Sequence, residues 1–226
     1  MTDSNTVYSA NRTARLAGVL YLVLFPLSIF SFVIVPAMLL EPENASVTAR
    51  KIMDNEMLFR SGIISHLLSQ IMVVFLASTL YRLFKAVSKD YALLMLVLAL
   101  LGPPISFLNE VHNLAVIQLL SGPEFGVFTP VQLQAQVMLY LDMSRQGIYI
   151  AQIFWGLWLL PLGVLIYRSV FLPRWLSIPV VIAGLAYLFD SFMQLLFPGF
   201  ILISQFTFAA ELFLPLWLLI KGVETK

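Results

Sequence analysis

Polar side chains that could do chemistry are concentrated in one apolar stretch, residues 105–120 (ISFLNEVHNLAVIQLL). Within it Asn109, Glu110, His112 and Asn113 occupy four of five successive positions. At about 100° per residue, a helix places all four on one side. Exposing these polar side chains to lipid would cost several kcal/mol, so they should face protein or water. We therefore expect the other helices to pack around it, where it could bind a polar ligand, transfer protons or ligate a metal.

Four further apolar stretches each contain an ionisable residue: His66, Arg145, Asp190 and Glu211. At about 1.5 Å of rise per residue, Glu110 and Glu211 lie roughly 15 Å from the outer ends of their spans. By the same measure Asp190 and His66 lie about 9–12 Å in, within a hydrocarbon layer about 30 Å thick. The sequence thus predicts a buried polar cavity in the outer half of the molecule. Its candidate ligand- or proton-binding residues are His66, Asn109, Glu110, His112, Asn113, Arg145, Asp190 and Glu211.

The charges of these candidates do not balance. Arg145 is the one cation expected within reach of four carboxylates, those of Glu110, Asp142, Asp190 and Glu211. An isolated ionised carboxylate is too costly to persist near the bilayer centre. At least one of Glu110 and Glu211 should therefore be protonated near neutral pH, and we select Glu211 as the functional one.

Metal binding and catalysis have little support in the sequence. His66 and His112 lie on consecutive predicted spans and are weak candidate ligands for a metal or a haem iron. They lack an H-x₃-H or HExxH spacing, so ordinary polar packing is the favoured interpretation and no cofactor is expected. The chain has no cysteine, which excludes thiolate catalysis and Cys-ligated metal sites. No catalytic motif stands out, so a non-enzymatic role is favoured.

The composition identifies the class of protein. The chain of 226 residues is 60% hydrophobic and 11% charged, whereas soluble domains are about 45–50% apolar and 25% charged. We therefore expect an all-α integral membrane protein, with residues 1–226 forming a single transmembrane domain in contact with the lipid bilayer. A formal net charge of +1 gives no reason to expect nucleic-acid binding.

Runs of about 20 apolar residues predict a polytopic bundle of six transmembrane helices. The predicted spans are 16–40, 60–84, 91–120, 136–167, 176–197 and 200–220, with residues 41–59 as an interfacial helix or loop. The sequence Gly102-Pro103-Pro104 is expected to break or bend the third span. Pro26 and Pro36 are expected to kink the first span.

The positions of the basic residues predict the orientation. Nine fall in the predicted inner segments: Arg12, Arg15, Arg82, Lys85, Lys89, Arg168, Arg174, Lys221 and Lys226. Four fall outside: Arg50, Lys51, Arg60 and Arg145. Because cytoplasmic loops are enriched in Lys and Arg, both termini are expected in the cytoplasm.

Three segments resemble a known family: LFRSGIISHLLSQ (58–70), IAGLAYLFDS (182–191) after LPRWLS, and AELFLPLWLLIKG (210–222). In order and spacing they resemble the bacterial family known as domain of unknown function 4386, over nearly the whole of residues 12–222. The resemblance implies a multi-pass protein of the bacterial inner or plasma membrane. It implies no catalytic or ligand-binding residue.

Three classes of function stay open. The favoured one is a binding, accessory or sensor membrane protein whose cavity holds a small polar or amphipathic ligand. A proton-coupled small-solute transporter using Glu110, Asp190 and Glu211 is the first alternative. A membrane-embedded metal- or haem-dependent redox protein or enzyme using His66 and His112 is the second. The sequence leaves a homodimer open in all three.

Overall fold

The structure is a computed structural model that describes the backbone of residues 3–223 and the side chains of residues 10–122, 125–208 and 211–223. Within these residues the chain is helical and has no strand, which confirms the predicted all-α fold. The helices are α1 (Asp3–Ile29), α2 (Val35–Leu39), α3 (Ala45–Asp54), α4 (Glu56–Phe84), α5 (Lys89–Ser121), α6 (Pro130–Arg168), α7 (Ser177–Leu196), α8 (Ser204–Thr207) and α9 (Phe213–Ile220). A π-helical turn (Phe30–Ile34) joins α1 to α2, and 3₁₀ turns occur at Pro123–Val127, Arg174–Leu176 and Phe208–Leu212.

In the described part of the chain, five helical segments are long and apolar enough to cross a membrane. They are Ala10–Leu39, Glu56–Phe84, Lys89–Ser121, Pro130–Arg168 and Arg174–Leu196. These correspond to the first five predicted spans, with several ends shifted. The first segment begins six residues before the predicted 16, and α6 begins six residues before the predicted 136. Thr129 and Gln132 form a capping box there, and Pro130 at the first helical position fits its backbone.

The segment predicted as a continuous sixth helix over 200–220 is interrupted. It consists of α8, the 3₁₀ turn Phe208–Leu212 and α9. Pro215 lies inside α9 and has no N–H to donate to the carbonyl of Glu211 four residues earlier, so the helical hydrogen bond between α9 and the preceding 3₁₀ turn is missing at this point. A single unbroken sixth helix is therefore wrong, although the segment remains helical in three short pieces.

Of the break or bend predicted at Gly102-Pro103-Pro104, the break does not occur, because α5 continues through these residues. The two prolines remove two intrahelical donors, a loss that membrane helices tolerate when neighbouring helices compensate. Because Gly102 has no side chain, α6 packs close to α5 at this point. A Cβ added to this glycine would lie 3.0 Å from the Cδ1 and Nε1 atoms of Trp155.

The π-helical turn after α1 has a visible cause. The Val35 N–H donates to the carbonyl of Phe30, five residues earlier, which is the π-helical pattern. The carbonyl of Leu27 instead accepts the hydroxyls of Ser31 and of Ser65 from α4, each at 3.0 Å. These hydroxyls satisfy a carbonyl near the point where the regular helix changes.

The predicted interfacial segment 41–59 contains α3 and the start of α4. Asn44 caps α3, its side-chain oxygen accepting the Val47 N–H at 3.1 Å. Only Asn55 separates α3 from α4. The helix packs against α4, α5 and α6, and its location at a membrane interface stays a prediction.

The long helices form a ring. α1 packs against α4, α4 against α5, α5 against α6 and α6 against α7, while α9 packs back against α1. The ring has two ends, which we call the terminal end and the distal end. The terminal end contains a large buried apolar cluster drawn from residues 14–25, 76–99, 158–183 and 214–223. The distal end contains a smaller one, drawn from residues 35–63 and 116–137.

At the terminal end the ring is closed by direct backbone contact between α1 and α9. A Cβ added to Gly18 would lie 2.9 Å from both the Leu219 nitrogen and the Pro215 oxygen. Seven residues before Gly18, Asn11 accepts the Val223 N–H at 2.9 Å. This end of the ring therefore leaves no room between its first and last helices.

Candidate functional site

A cavity of about 580 Å³ lies inside the ring, between the two apolar clusters. Along α1 and α2 its lining runs from Tyr21 to Leu40, roughly 28 Å of helix rise. Other lining residues come from α4, α5, α6, α7, the connection before α8, α8 and the last 3₁₀ turn, and a little over half of the whole lining is apolar. This volume lies within the usual range of about 300–1,000 Å³ for pockets that bind small organic molecules.

Five of the eight predicted site residues line this cavity: His66, Glu110, Asn113, Arg145 and Glu211. The lining does not include the other three, Asn109, His112 and Asp190. The predicted set is therefore divided between groups that face the cavity and groups that hold the helices around it.

Glu211 lies between two tyrosines. Tyr21 from α1 donates its hydroxyl to Oε2 at 2.8 Å, and Tyr187 from α7 donates to Oε1 at 2.5 Å. Glu211 is only 6% exposed. Among the described side chains, no ion pair joins Glu211 to a Lys, Arg or His. The carboxylate thus has two neutral donors and no balancing positive charge.

Glu110 has a different set of partners. Its Oε1 contacts Nδ1 of His66 from α4, and its Oε2 accepts the Asn113 side-chain amide at 2.8 Å. The His66 ring packs edge-on against Phe32, with ring centroids 4.7 Å apart, and against Trp155 at 6.4 Å. A proton on Nδ1 makes Nε2 an acceptor in the neutral ring. That Nε2 is buried and has no hydrogen-bond partner among the described atoms.

Arg145 does not neutralise any of the buried carboxylates. It pairs with Asp142, one turn earlier on α6. The two side chains are 61% and 47% exposed, so the pair lies at the edge of the cavity. Of the four carboxylates expected within reach of Arg145, Asp142 is therefore the one that pairs with it.

Asp190 is fully buried and holds the start of the interrupted segment. Its two carboxylate oxygens accept the backbone N–H groups of Ile203 at 2.8 Å and Ser204 at 2.6 Å. Gln194, one turn further along α7, accepts the Gly199 N–H and donates to the Phe200 carbonyl. These contacts fix the non-helical residues that connect α7 to α8.

The depth of this connection is informative. Asp190 lies six residues before Leu196, the last residue of α7, and therefore about 9 Å below that end. The backbone bound to Asp190 lies at the same depth. Non-helical backbone at membrane depth occurs where it is buried in protein or lines a water-filled cavity. Leu202 and Ser204 do line the cavity.

Asn109 connects α5 to α6, whereas His112 contacts another residue of its own helix, α5. The Asn109 amide donates to the Ser144 carbonyl at 2.8 Å, and a Cβ added to Gly147 would overlap the Asn109 side chain. His112 Nδ1 contacts the carbonyl and side-chain oxygens of Asn109, at 3.0 and 3.2 Å. His66 and His112 thus have separate partners. The described residues contain no group of three or more His, Asp or Glu that could hold a metal ion.

The sequence reasoning missed Tyr21 and Tyr187 as site residues, together with Phe32 and Trp155. A tyrosine hydroxyl in the middle of an apolar span needs a partner. Taken with the need of Glu211 for donors, that signal could have identified the two tyrosines. The position of Phe32 depends on the π-helical turn, for which the sequence has no simple signal.

Comparison with known proteins identifies a family of undetermined function. The model of the family described as Domain of unknown function (DUF4386) matches residues 16–222. An "Uncharacterized protein" of Archaeoglobus fulgidus is 28% identical over 155 residues, which cover 67% of this chain and 78% of that relative. No solved structure matches the chain.

Proposed function

This chain belongs to the DUF4386 family, and from that premise we propose that it is a multi-pass membrane protein that binds a small amphipathic ligand inside its helical ring. The cavity supports this proposal most directly. It has the volume of a small-molecule site, and its lining combines apolar residues with polar groups, among them Glu211 and His66. That combination is typical of sites in which apolar contacts give affinity and a few polar contacts give orientation.

The buried polar groups are a second support. Glu211 has no balancing positive charge among the described side chains, and Nε2 of His66 has no hydrogen-bond partner there. Polar groups left in this state are costly in a structural core. A ligand with matching groups would remove part of that cost, whereas a role in helix packing alone would not.

Tryptophan fluorescence of the purified protein in lipid nanodiscs tests the proposal, because Trp155 and Trp158 both line the cavity. A panel of small amphipathic compounds should contain some that shift or quench the emission saturably. Ser28→Phe fills part of the cavity and should weaken binding at least about tenfold. Ser78→Phe makes the same change on an exposed position of α4 outside the lining and is the matched control. Equal affinity in the two variants would contradict a ligand site in the cavity.

We extend the proposal to topology: the chain crosses the plasma membrane of a prokaryote six times, with both termini in the cytoplasm. The interrupted segment 200–220 provides the sixth crossing. The excess of Lys and Arg near the terminal end supports a cytoplasmic location for that end. Reporter fusions at Ser88, Gly126 and Phe171 should report inside, outside and inside. An external signal at Ser88 would overturn this topology.

Transport and redox chemistry gain no separate support. A transporter would use the same carboxylates, and the described contacts include no feature that favours movement of a ligand over its binding. A redox centre would need ligands that the described histidines, with their separate partners, do not assemble. Ligand binding is therefore the function that these side chains support best.

A further inference from the structure

We infer that the ligand is an organic cation, a protonated amine with an apolar body, and that its positive group binds at Glu211 between Tyr21 and Tyr187. This inference rests on the proposed function, because it names the ligand class for the same cavity. Three observations support it: the acidic and basic side chains of the lining, the aromatic rings near Glu211, and apolar residues that line the cavity and are also exposed on the outer surface.

The lining contains one acidic side chain, that of Glu211, that pairs with no described basic side chain. Among the described side chains that form it, the acidic and basic ones are Glu110, Glu211, Arg145 and His66. Arg145 pairs with Asp142 outside the lining, and His66 contacts Glu110. Glu211 is left with tyrosine hydroxyls. Because charge–charge attraction grows as the local dielectric constant falls, a cation in this cavity is drawn to Glu211.

Aromatic rings surround that carboxylate. Tyr21 packs against Phe25, with ring centroids 5.9 Å apart, and against Trp158 at 6.2 Å. Phe208, in the same 3₁₀ turn as Glu211, packs against Phe25 at 4.7 Å. All four rings line the cavity. The faces of aromatic rings attract cations, more strongly so when water is excluded.

Other ligand classes fit less well. A metal ion needs several oxygen, nitrogen or sulfur ligands in one place, and the described residues form no group of three acidic or histidine side chains. An anion would need a free positive group, yet Arg145 is the one Lys or Arg among the described lining residues and is paired. The volume of about 580 Å³ leaves room for an apolar body as well as a charged group.

An apolar body also agrees with the way the cavity meets the surface. Ile29 and Val33 lie on a membrane-spanning segment and line the cavity. Their exposed fractions are 37% and 58%. Gln205 on α8 lines it too and is exposed. In a bilayer such exposed apolar side chains contact lipid. A ligand that dissolves in the membrane could therefore reach the cavity from the lipid beside α1.

The test uses three probes with the same apolar body and different charges: phenylbutylamine, phenylbutanol and phenylbutyrate. Binding to the full chain in neutral-lipid nanodiscs is measured by tryptophan fluorescence and by calorimetry, with empty nanodiscs subtracted. The amine should bind at least about tenfold more tightly than the alcohol, which corresponds to about 1.4 kcal/mol. The carboxylate probe should bind more weakly than the alcohol.

Variants separate Glu211 from the rest of the protein. Glu211→Gln should abolish the preference for the amine while affinity for the alcohol stays within about threefold, because the amide keeps the shape and removes the charge. Glu43→Gln makes the same change at an exposed position outside the cavity and should leave the preference intact. Tyr21→Phe removes one hydroxyl but keeps the carboxylate, so it should retain the preference. It provides a second arm should Glu211→Gln fail to fold.

The outcomes distinguish the two proposals. Equal affinity for amine and alcohol, or an unchanged preference in Glu211→Gln, would overturn the cation assignment and leave ligand binding in place. Loss of the preference in Tyr21→Phe, with the carboxylate still present, would also overturn it. Failure of all three probes to bind the wild-type protein would overturn the proposed function, and this inference with it.

Discussion

Towards the terminal end of the ring, helices meet through small residues and backbone. In the rest of the ring, which we call the distal half, polar and aromatic side chains surround a cavity. α1 and α9 meet at Gly18, and α6 and α7 meet where Gly156 lies against Gly184, so that a Cβ added to Gly156 would lie 2.6 Å from the Gly184 oxygen. Beyond these contacts lie Glu211, His66 and Glu110, with their hydrogen bonds across helices.

The two regions thus differ in how closely their helices approach one another. Small residues at helix interfaces allow close backbone approach, which supplies van der Waals packing in a solvent as apolar as the helices. In the distal half the last segment is interrupted, and its connection to α7 lies about 9 Å below the helix end. At the terminal end α9 closes the ring against α1. At the distal end the last segment consists of the short helix α8 and the non-helical residues before it.

The largest expected effect comes from breaking the buried pair in the distal half. Glu110→Ala leaves the buried His66 and the half-buried Asn113 without their partner, which should cost about 3–5 kcal/mol of unfolding free energy. The exposed pair of Glu56 and Arg60 lies on the same helix as His66. Glu56→Ala should cost less than about 1 kcal/mol. Reversible unfolding in mixed detergent measures both, and equal losses would contradict the assigned importance of the buried pair.

A smaller effect is expected from filling the close contact at the terminal end. Gly18→Ala places a Cβ against the backbone of α9, and should cost about 1–3 kcal/mol by overpacking. Gly62 is the distal counterpart, where a Cβ would meet only the side chain of Val35, at 3.1 Å. Gly62→Ala should change stability by less than about 1 kcal/mol, since helix propensity favours alanine. Thermal unfolding of the two variants compares them, and a greater loss in Gly62→Ala would reverse the contrast between the ends.

Asp190→Asn should act locally on the interrupted segment. Asparagine keeps one acceptor oxygen and loses the other, so one of the Ile203 and Ser204 N–H groups loses its partner, at a cost of about 1 kcal/mol. Hydrogen exchange should accelerate at these two amides and stay unchanged in residues 14–25 at the terminal end. Faster exchange at both ends would show that the two halves do not respond separately.

Arg145→Gln should have the smallest effect. The pair of Arg145 and Asp142 is exposed, and exposed pairs contribute about 0–1 kcal/mol. Stability and amine binding should therefore change little. A loss above about 2 kcal/mol would mean that Arg145 neutralises the buried carboxylates, as the sequence alone suggested.

The sequence allowed the class of fold and most of the polar site positions to be predicted, because both depend on local patterns. Apolar runs identify helices that can cross a membrane, and an ionisable residue within such a run is conspicuous. Pairing was harder to predict. Glu211 and Tyr21 are 190 residues apart, and no local pattern indicates which helices become neighbours in a ring.

Two features of the backbone could not be predicted from local rules because tertiary contacts decide them. Pro103 and Pro104 predict a break or a bend, yet α5 continues through them, with α6 packed closely against Gly102. Residues 200–203 read as the start of a helix. The helix begins at Ser204 instead, where Asp190 accepts two backbone N–H groups from a neighbouring helix. In both places the deciding partner lies far along the chain.

The contact between Tyr21 and Glu211 also has a consequence for the order in which the protein is made. Translation proceeds from α1 towards α9, so Glu211 reaches the membrane after all the long helices have been synthesised. An acidic residue at the centre of a lone inserting segment costs about 3 kcal/mol. Tyr187 on the preceding helix and Tyr21 on the first one are already present to donate hydrogen bonds to it. Insertion of the last segment therefore depends on prior assembly of the first, and a defect in α1 should appear as a late failure of biogenesis.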